Sequence, residues 1–436
     1  MFEKSLSYLD GKAVVFAPYN DLSETLVNEL NEKVKFCGFY DSCKKGTYIL
    51  EKELIGEDNV IVISSPNYWQ EIAQLFPKNE VLIYNRQGYE LIEFNNYLNH
   101  ISKPESVDVL LLPYNKSNII DLSLVAKSLE KIGISSALID VNSDFDKNIA
   151  EGFHLTKGVK VIHQDCLPNT GFHAVVASND WDPGFGRNFI LKQRKLGKLT
   201  IGIVDGIEDF KDADYGYERH AYQTTEFVML MGYDDLAHFS NKKEKTTIIG
   251  LPKMWSLYKN RSPLPPKNKL MVNVNFTYGS FENEREAWVS KVLVACEQTQ
   301  QEFIISQHHA DNGRFPPEIV SAKNVYETIN DTSIVISRFS TVVLEALAMG
   351  RKVIYFNPHG ETVDLYKSPN GAFEIAHSLN ELVACIHYYL GAERNEKAVE
   401  TFLNNKCHIK SDVEPSAKAA LYIQQLLQNR DTSNEQ

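Results

Sequence analysis

Short apolar runs alternate with amphipathic stretches of helical spacing along most of the chain, a pattern typical of α/β folds with parallel sheets. In the first hundred residues the predicted strands are 13–17, 34–41, 59–65 and 80–84, and the predicted helices are 21–30 and 69–75. The segment 64–67 ends one strand and opens a helix. It is a candidate ligand turn, but a plain connection is the better interpretation.

A polar segment around Pro104 and a proline-rich bridge at 261–268 separate this block from two further α/β blocks. The middle block has an amphipathic helix at 119–131, and its predicted strands are 107–112, 136–141, 159–163, 173–178, 199–204, 226–231 and 246–250. The last block has a helix at 284–299, a helical tail from 379, and strands predicted at 269–276, 302–306, 333–337 and 352–356. We therefore expect three domains, 1–101, 105–260 and 267–436, each Rossmann-like.

The amino-acid composition limits the classes of binding partner and the cellular compartment. The 436 residues carry a formal net charge of −12, which argues against nucleic acid as the main partner. Six scattered cysteines suit a reducing compartment, and no signal peptide or apolar run of about 20 residues is present. These features predict a cytoplasmic protein.

The stretch 334–356 is the most informative segment. It predicts a buried strand, a polar turn, a helix and a second buried strand. Ser337, Ser340 and Thr341 place hydroxyls at the helix N-terminus, and Glu345 follows in the first turns, so that a nucleotide phosphate would fit there. The alternative is an ordinary capped helix, and the two are equally supported by this segment alone.

Three other strand ends are unusually polar, and ligands of parallel sheets bind at such ends. Asp205-Gly206, with Glu208 close behind, follows strand 199–204 and supplies a candidate catalytic carboxylate, although a simple turn is the better interpretation in isolation. The loop 179–187, with Asp180, has the composition of a carbohydrate-binding lip or of a mobile loop.

His308 and His309 follow strand 302–306, where a histidine can donate to a phosphate. A metal site would need a further ligand at suitable spacing, and none is evident. Residues 357–361 follow the next strand and are predicted to line the same pocket. The sequence has neither a P-loop nor a Gly-x-Gly-x-x-Gly fingerprint, which excludes a P-loop ATPase and disfavours a dehydrogenase.

Asp205-Gly206, His308-His309 and Ser337 with Ser340-Thr341 occur in one order along the chain. This arrangement resembles the bacterial GT-B glycosyltransferases that use CMP-activated acidic sugars, such as sialyltransferases and β-Kdo transferases. The chain departs from the pattern at three places. Val204 stands where an acidic residue often precedes Asp-Gly, His309 replaces a proline, and residues 338–339 separate the serines.

The resemblance implies a GT-B-type pair of Rossmann-like domains preceded by a small N-terminal Rossmann-like domain. It implies a catalytic carboxylate, Asp205, acting as base or nucleophile, with Glu208 and Asp180 as further catalytic candidates. It also implies a CMP site without metal or cofactor, formed by His308, His309, Ser337, Arg338, Ser340, Thr341 and Glu345.

The implied partners are a nucleotide sugar and a bacterial surface-glycan acceptor, with peripheral association at the inner membrane or with a glycan-assembly complex left open. The turn after strand 333–337 also looks like that of CDP-glycerol transferases and sugar-nucleotide epimerases. A UDP-sugar transferase or 2-epimerase, and a non-catalytic scaffold, therefore remain as alternatives.

Overall fold

In the computed structural model of the chain, the described residues are 3–65, 69–85, 90–94, 96, 104–141, 147–204, 206, 209–265, 268–277, 279–308 and 310–434. The chain forms two compact units, Met1–Val175 and Val176–Gln436. In both units most strands are parallel and are flanked by helices, which confirms the predicted α/β class. The three predicted domain boundaries stay predictions.

The strands and helices are numbered in chain order. The strands are β1 (Glu3–Ser5), β2 (Ala13–Ala17), β3 (Lys35–Tyr40), β4 (Ile49–Leu50), β5 (Val60–Ile63), β6 (Glu80–Asn85), β7 (Glu90–Glu93), β8 (Glu105–Ser106), β9 (Val109–Leu112), β10 (Ser136–Asp140), β11 (Val161–His163), β12 (Thr170–Gly171), β13 (Ala174–Ala177), β14 (Leu199–Ile203), β15 (Phe227–Leu230), β16 (Thr246–Ile248), β17 (Leu270–Val274), β18 (Phe303–Gln307), β19 (Ile334–Ser337), β20 (Lys352–Phe356) and β21 (Glu374–Ala376). The helices are α1 (Asp21–Leu30), α2 (Trp69–Leu75), α3 (Lys116–Lys131), α4 (Lys147–Leu155), α5 (Phe185–Lys195), α6 (Pro252–Lys259), α7 (Arg285–Gln298), α8 (Val325–Asn330), α9 (Thr341–Ala348), α10 (Leu379–Gly391), α11 (Glu396–Cys407) and α12 (Pro415–Asn434).

The first unit begins with a seven-stranded sheet in the order β1-β7-β6-β5-β2-β3-β4. Strands β2 to β6 are parallel, whereas β7 runs antiparallel to β6 and to β1. The central strands β2 and β5 are buried almost throughout, as expected of apolar runs covered on both faces. The strands β1 and β7 were not predicted, because each is short and half-charged.

The same unit continues with β9, β10 and β11, which pair in parallel. Helix α3 begins with a capping box in which Asn115 accepts a hydrogen bond from the backbone N–H of Asn118. The division between the two units falls within β13.

The second unit contains the parallel strands β14, β15 and β16 and a five-stranded parallel sheet in the order β18-β17-β19-β20-β21. Because β17 lies between β18 and β19, the direction in which successive strands are added reverses at the β17–β19 pair. Helix α7 packs on one face of this sheet through Trp288 and Val292, and α9 packs on the other through Val343 and Leu347.

In the part of the chain that the structure describes, no helix combines the length and apolar character needed to cross a bilayer.

Candidate functional site

The carboxyl ends of β17 and β19 form a topological switch point. These strands are neighbours, and the chain leaves them toward helices on opposite faces of the sheet. The loops that follow, 275–284 and 338–340, therefore diverge and leave a crevice between them. Open α/β sheets bind their ligands at such a crevice.

Asn275 bridges the two loops of the crevice. Its Nδ2 donates to the carbonyl oxygen of Phe339 at 2.9 Å. Its Oδ1 is buried and has no hydrogen-bond partner among the described residues. A buried amide oxygen without a partner is costly, so that this atom marks the place where a donor group of a ligand would be stabilised.

The loop after β19 is fixed from within. The Ser337 Oγ accepts from Asn273 Nδ2 at 3.0 Å and donates to the Arg338 carbonyl at 2.7 Å, in fully buried surroundings. Ser340 caps α9, since its Oγ accepts from the backbone N–H of Val342 at 3.3 Å. Ser340 and Thr341 are half-buried at the helix N-terminus, where unpaired N–H groups attract anions.

Arg338 was predicted to contact a nucleotide, but its guanidinium has no exposed surface. Its Nε donates to Glu361 Oε1 at 2.6 Å, and its Nη1 donates to the carbonyl of Ser280 at 2.9 Å. The rings of Phe276 and Phe339 lie 4.4 Å from the guanidinium carbon. Arg338 thus holds the crevice loops together from beneath, and its geometry favours a positioning role over direct ligand contact.

Glu361 is the buried partner of Arg338 and lies in the segment 357–361 predicted to line this pocket. It also accepts from the Phe339 N–H at 2.9 Å, the Tyr355 hydroxyl at 2.8 Å and His359 Nε2 at 2.8 Å. Burial alone would raise the pKa of this carboxyl, but the hydrogen bond from His359 and the charge of Arg338 outweigh burial and lower it. Glu361 is therefore an ionised anchor beneath the crevice.

His308 follows β18, next to β17. Its backbone N–H donates to the Val274 carbonyl at 2.8 Å, and its Nδ1 accepts from the Ala310 N–H at 3.2 Å. A neutral ring that accepts at Nδ1 carries its proton on Nε2, where it can donate. His309 lies outside the described residues.

Asp311 fixes this loop against the loop after β17. Its Oδ2 accepts from the Phe276 N–H at 3.1 Å, and its Oδ1 accepts from Arg285 Nε at 2.9 Å. This role of Asp311 was not predicted, because an acidic residue in a polar loop has no distinguishing sequence pattern.

Residues 209–222, which follow the Asp205-Gly206 pair, contact the same edge of the five-stranded sheet. The backbone N–H of Thr362 donates to the Ala213 carbonyl at 3.1 Å, and the Ser280 Oγ donates to Asp214 Oδ1 at 2.5 Å. Asp205 and Glu208 themselves lie outside the described residues. Of these two contacts, that of Asp214 with Ser280 is made with a loop of the crevice, 275–284.

Asp180 is 1% exposed and fixes the turn after residue 221. Its carboxylate accepts from the backbone N–H of Tyr222, from Thr224 N at 2.8 Å and Oγ1 at 2.6 Å, and from Thr225 N at 3.1 Å. A carboxylate with four donors around it has little capacity to take a substrate proton. This geometry favours a structural role over the predicted catalytic one.

Glu345 of α9 is also buried. Its Oε1 forms an ion pair with Lys253 of α6 and accepts from the Tyr326 hydroxyl at 3.3 Å. Burial raises the pKa of Tyr326 to about 12. The predicted ligand carboxylate of Glu345 is thus bound by side chains of two neighbouring helices.

No group of three or more histidine, cysteine or acidic side chains placed to hold a metal ion occurs within the described ranges.

The structure brings together His308, Ser337, Arg338, Ser340 and Thr341 and leaves Asp180 and Glu345 in separate buried networks. Asn275 was missed because it falls inside the predicted strand 269–276, and the strand ends one residue before it. The sequence feature that could have identified Asn275 is its position as a polar residue directly after an apolar strand.

The comparisons with solved structures identify proteins of similar fold. The UDP-GlcNAc 2-epimerase from Neisseria meningitidis is 12% identical, with 74% of this chain and 100% of that chain covered and a TM-score of 0.51. The putative UDP-N-acetylglucosamine 2-epimerase from Listeria monocytogenes is 11% identical, with 74% and 96% covered and a TM-score of 0.50. The wall teichoic acid polymerase TagF is 12% identical, with 77% and 92% covered and a TM-score of 0.47, too low to carry an argument.

No protein-family model and no curated protein matches the chain. The two epimerase structures confirm the predicted α/β fold class with GT-B-type Rossmann-like architecture over the 74% of the chain that they cover. At these identities they show the fold alone.

Proposed function

We propose that the chain is a nucleotide-sugar-dependent glycosyltransferase of the GT-B type, whose nucleotide binds in the crevice between β17 and β19. In its specific form, the enzyme transfers Kdo or a sialic-type sugar from a CMP-activated donor to a bacterial surface-glycan acceptor at the cytoplasmic side of the membrane. The observation that carries the proposal is the buried Asn275 Oδ1 at the switch point, which has no partner among the described residues and lies beside the capped N-terminus of α9.

Each crevice group has a task in this reaction. Asn275 Oδ1 accepts an N–H of the base, and the N–H groups and hydroxyls at Ser340 and Thr341 hold the phosphate. His308 donates from Nε2 to the phosphate as the nucleotide leaves. These groups stabilise developing negative charge without a metal ion or cofactor.

Asp205 is the proposed catalytic carboxylate. Asp214, nine residues after Asp205, accepts a hydrogen bond from Ser280 in the loop after β17, which supports delivery of Asp205 to the sugar. Asp205 takes the acceptor proton if configuration inverts, or attacks the sugar carbon if configuration is retained. Asp205→Ala is expected to abolish transfer and leave nucleotide binding intact. Near-normal turnover of this variant would reject the assignment.

The second candidate is a UDP-sugar transferase or a sugar-nucleotide 2-epimerase. The Neisseria and Listeria structures, with TM-scores of 0.51 and 0.50, are both named as UDP-N-acetylglucosamine 2-epimerases, which gives this alternative comparable support. An epimerase converts a nucleotide sugar with no acceptor present, and a non-catalytic scaffold converts none.

The test is a thermal-shift panel of CMP, CDP, UDP and GDP, because a ligand that binds only the native state raises the melting temperature. Selective stabilisation by CMP supports the CMP-activated donor, whereas selective stabilisation by UDP rejects it in favour of the second candidate. Asn275→Ala should abolish the shift. The matched control Asn283→Ala, on the exposed surface of the same loop, should keep it. If none of the four nucleotides stabilises the wild type, the nucleotide site is rejected.

A further inference from the structure

The buried carboxylate of Glu361 holds a histidine that has no task in the proposed reaction. His359 Nε2 lies 2.8 Å from Glu361 Oε1, and the histidine side chain is only 6% exposed. Although burial opposes it, the hydrogen bond from His359 and the charge of Arg338 lower the pKa of Glu361, so that its carboxylate is ionised and can only accept. Nε2 therefore carries a proton in both forms of the ring. The second nitrogen, Nδ1, decides whether His359 is neutral or charged.

The turn after β20 fixes these two side chains relative to each other. Asn357 Oδ1 accepts from the N–H groups of Gly360 at 2.9 Å and Glu361 at 2.7 Å, and its Nδ2 donates to the Glu361 carbonyl at 3.0 Å. Gly360 has a φ of +82°, a left-handed conformation that favours glycine. The His359 ring is therefore oriented by its own turn before any ligand binds.

Nδ1 of His359 is the open end of the pair. It has no hydrogen-bond partner among the described residues and is not one of their fully buried polar atoms. The ring packs on Phe281, with centroids 4.9 Å apart, and on Phe276 at 6.1 Å, both in the crevice loop 275–284. Glu361 also binds the N–H of Phe339 in the other crevice loop. His359 thus lies where the two loops meet, with one ring nitrogen left for a ligand.

The charges near the ring favour an anionic ligand. The charged or titratable residues on the segments next to it are Glu282, Glu284, Asp311, Arg338, Tyr355 and Glu361. Arg338 and Glu361 form a buried ion pair, to which the Tyr355 hydroxyl donates. Asp311 is paired with Arg285. A proton on Nδ1 therefore adds a positive charge beside an ion pair that is already balanced, and a phosphate group would compensate that charge.

We propose that His359 is a proton-coupled contact of the nucleotide phosphate. As the nucleotide binds, Nδ1 takes up one proton from water and donates a hydrogen bond to a phosphate oxygen, while Nε2 stays bonded to Glu361. The inference rests on the proposed nucleotide site and adds to it a residue and a pH dependence. Because the protonated ring binds phosphate more tightly, nucleotide affinity should rise as pH falls through the range in which imidazole gains its proton.

The test is calorimetric titration of the full chain with CMP, CDP, UDP and GDP at about pH 5.5 and about pH 8.5, on either side of the imidazole range. His359→Gln keeps a donor for Glu361 and does not titrate. It should weaken binding about tenfold at the lower pH, through loss of one charge-assisted hydrogen bond, and change it little at the higher pH. The matched control, His387→Gln at an exposed histidine of α10, should bind like the wild type at both. The phosphate and His308 titrate in all three proteins, so that the comparison isolates His359.

A second measurement needs no variant. Diethyl pyrocarbonate acylates unprotonated ring nitrogens of accessible histidines, and mass spectrometry of peptides locates the modified residue. His359 should be acylated in the free protein and protected by nucleotide, whereas His387 should be acylated equally in both states. Equal acylation of His359 with and without nucleotide, or none in the free protein, would overturn the inference.

The outcomes separate this inference from the proposed function. Binding that Asn275→Ala abolishes, but that is the same in the wild type and His359→Gln at both pH values, rejects the inference and leaves the proposed function standing. Failure of all four nucleotides to bind the wild type rejects both. A melting temperature near the wild-type value establishes that His359→Gln is folded, and if it is not, the acylation experiment decides.

Discussion

Arg338 and Glu361 are both sealed from solvent, and each is stable in that position because the other is present. Removing one member of a buried pair leaves the other charge without compensation, which is far more costly than losing an exposed pair. The conformation of the crevice loops therefore depends on Arg338 and Glu361, which lie beneath the crevice.

Glu361→Gln should lower the free energy of unfolding by about 3 kcal/mol, because it leaves a buried guanidinium unpaired. Denaturant-induced unfolding measures the loss. Asp331→Asn is the matched control, since its pair with Lys323 lies on the surface and should be dispensable. Equal stability of the two variants would show that Arg338 finds another partner.

Asp235 provides a pH-dependent contribution to stability. Burial raises the pKa of this carboxyl to about 7, above its usual value near 4, while its Oδ2 accepts from the Gly232 N–H at 2.9 Å. The folded state therefore binds the proton more tightly than the unfolded state does. The associated stability is present at acid pH and is lost as pH rises from about 4 through 7.

Asp235→Asn should remove this dependence, because an amide keeps the acceptor oxygen and does not ionise. The variant should gain stability relative to the wild type as pH rises from 5 to 8. Unfolding midpoints across that range measure the gain. A constant difference between the two proteins would contradict the raised pKa.

The candidate site was only partly predictable at this scale. The strand-end positions of His308, Ser337 and Ser340 follow from the apolar pattern, because parallel strands place their carboxyl ends on one edge. The burial of Arg338 and Glu345 does not follow from it. Each is paired with a residue distant in sequence, Glu361 and Lys253 respectively, and a linear pattern does not reveal such partners.

At the scale of elements, α9 is important both for stability and for the proposed nucleotide site. Ser340 caps the helix whose N-terminus faces the crevice, and Asn324 caps α8 with a full capping box. Substituting a cap residue by alanine usually costs about 1 kcal/mol. Alanine substitutions at Ser340 and at Asn324 should therefore lower the free energy of unfolding by similar amounts.

Ser340→Ala and Asn324→Ala should each lower stability by about 1 kcal/mol. Only Ser340→Ala should also reduce the nucleotide-induced thermal shift, because it removes a hydroxyl from the crevice. Thermal unfolding with and without nucleotide measures both effects. A full nucleotide shift in Ser340→Ala would exclude this helix terminus from binding.

Elements with strong periodicity were predicted well. Strands β2 and β20 and helix α2 have the predicted bounds, because continuous apolar runs and helical spacing are local signals. Helix α5 was predicted in part as loop 179–187, since Gly184 and Gly186 obscured its start. Strand β7, which lies between β1 and β6, gave no signal, because it has only four residues and a glutamate at each end.

At the scale of the molecule, the reactivity of the cysteine thiols can measure the unfolding of each compact unit separately. Cys37 and Cys43 are exposed, whereas Cys166, Cys296 and Cys407 are buried. Burial raises the pKa of Cys166 to about 11 and of Cys296 to about 12, which suppresses the reactive thiolate further.

Brief treatment of the native protein with a thiol reagent should therefore label Cys37 and Cys43 and spare the three buried thiols. With rising denaturant, Cys166 should become reactive at a different concentration from Cys296 and Cys407, since it belongs to the other compact unit. Mass spectrometry of peptides measures each site. Simultaneous exposure of all three would show that the units unfold together.

The last two helices return to the part of the second unit that precedes the proline-rich bridge. Tyr233 N–H donates to the Asn405 carbonyl at 2.7 Å, and Trp255 Nε1 donates to the Ser411 carbonyl at 2.9 Å. A methyl group on Gly232 would lie 2.2 Å from the Asn405 oxygen. A protease cut in the proline-rich bridge would therefore yield two fragments that stay associated. A premature stop codon after residue 391 would remove the last two helices and so expose core residues in the part of the chain that precedes the bridge, although that part is itself complete.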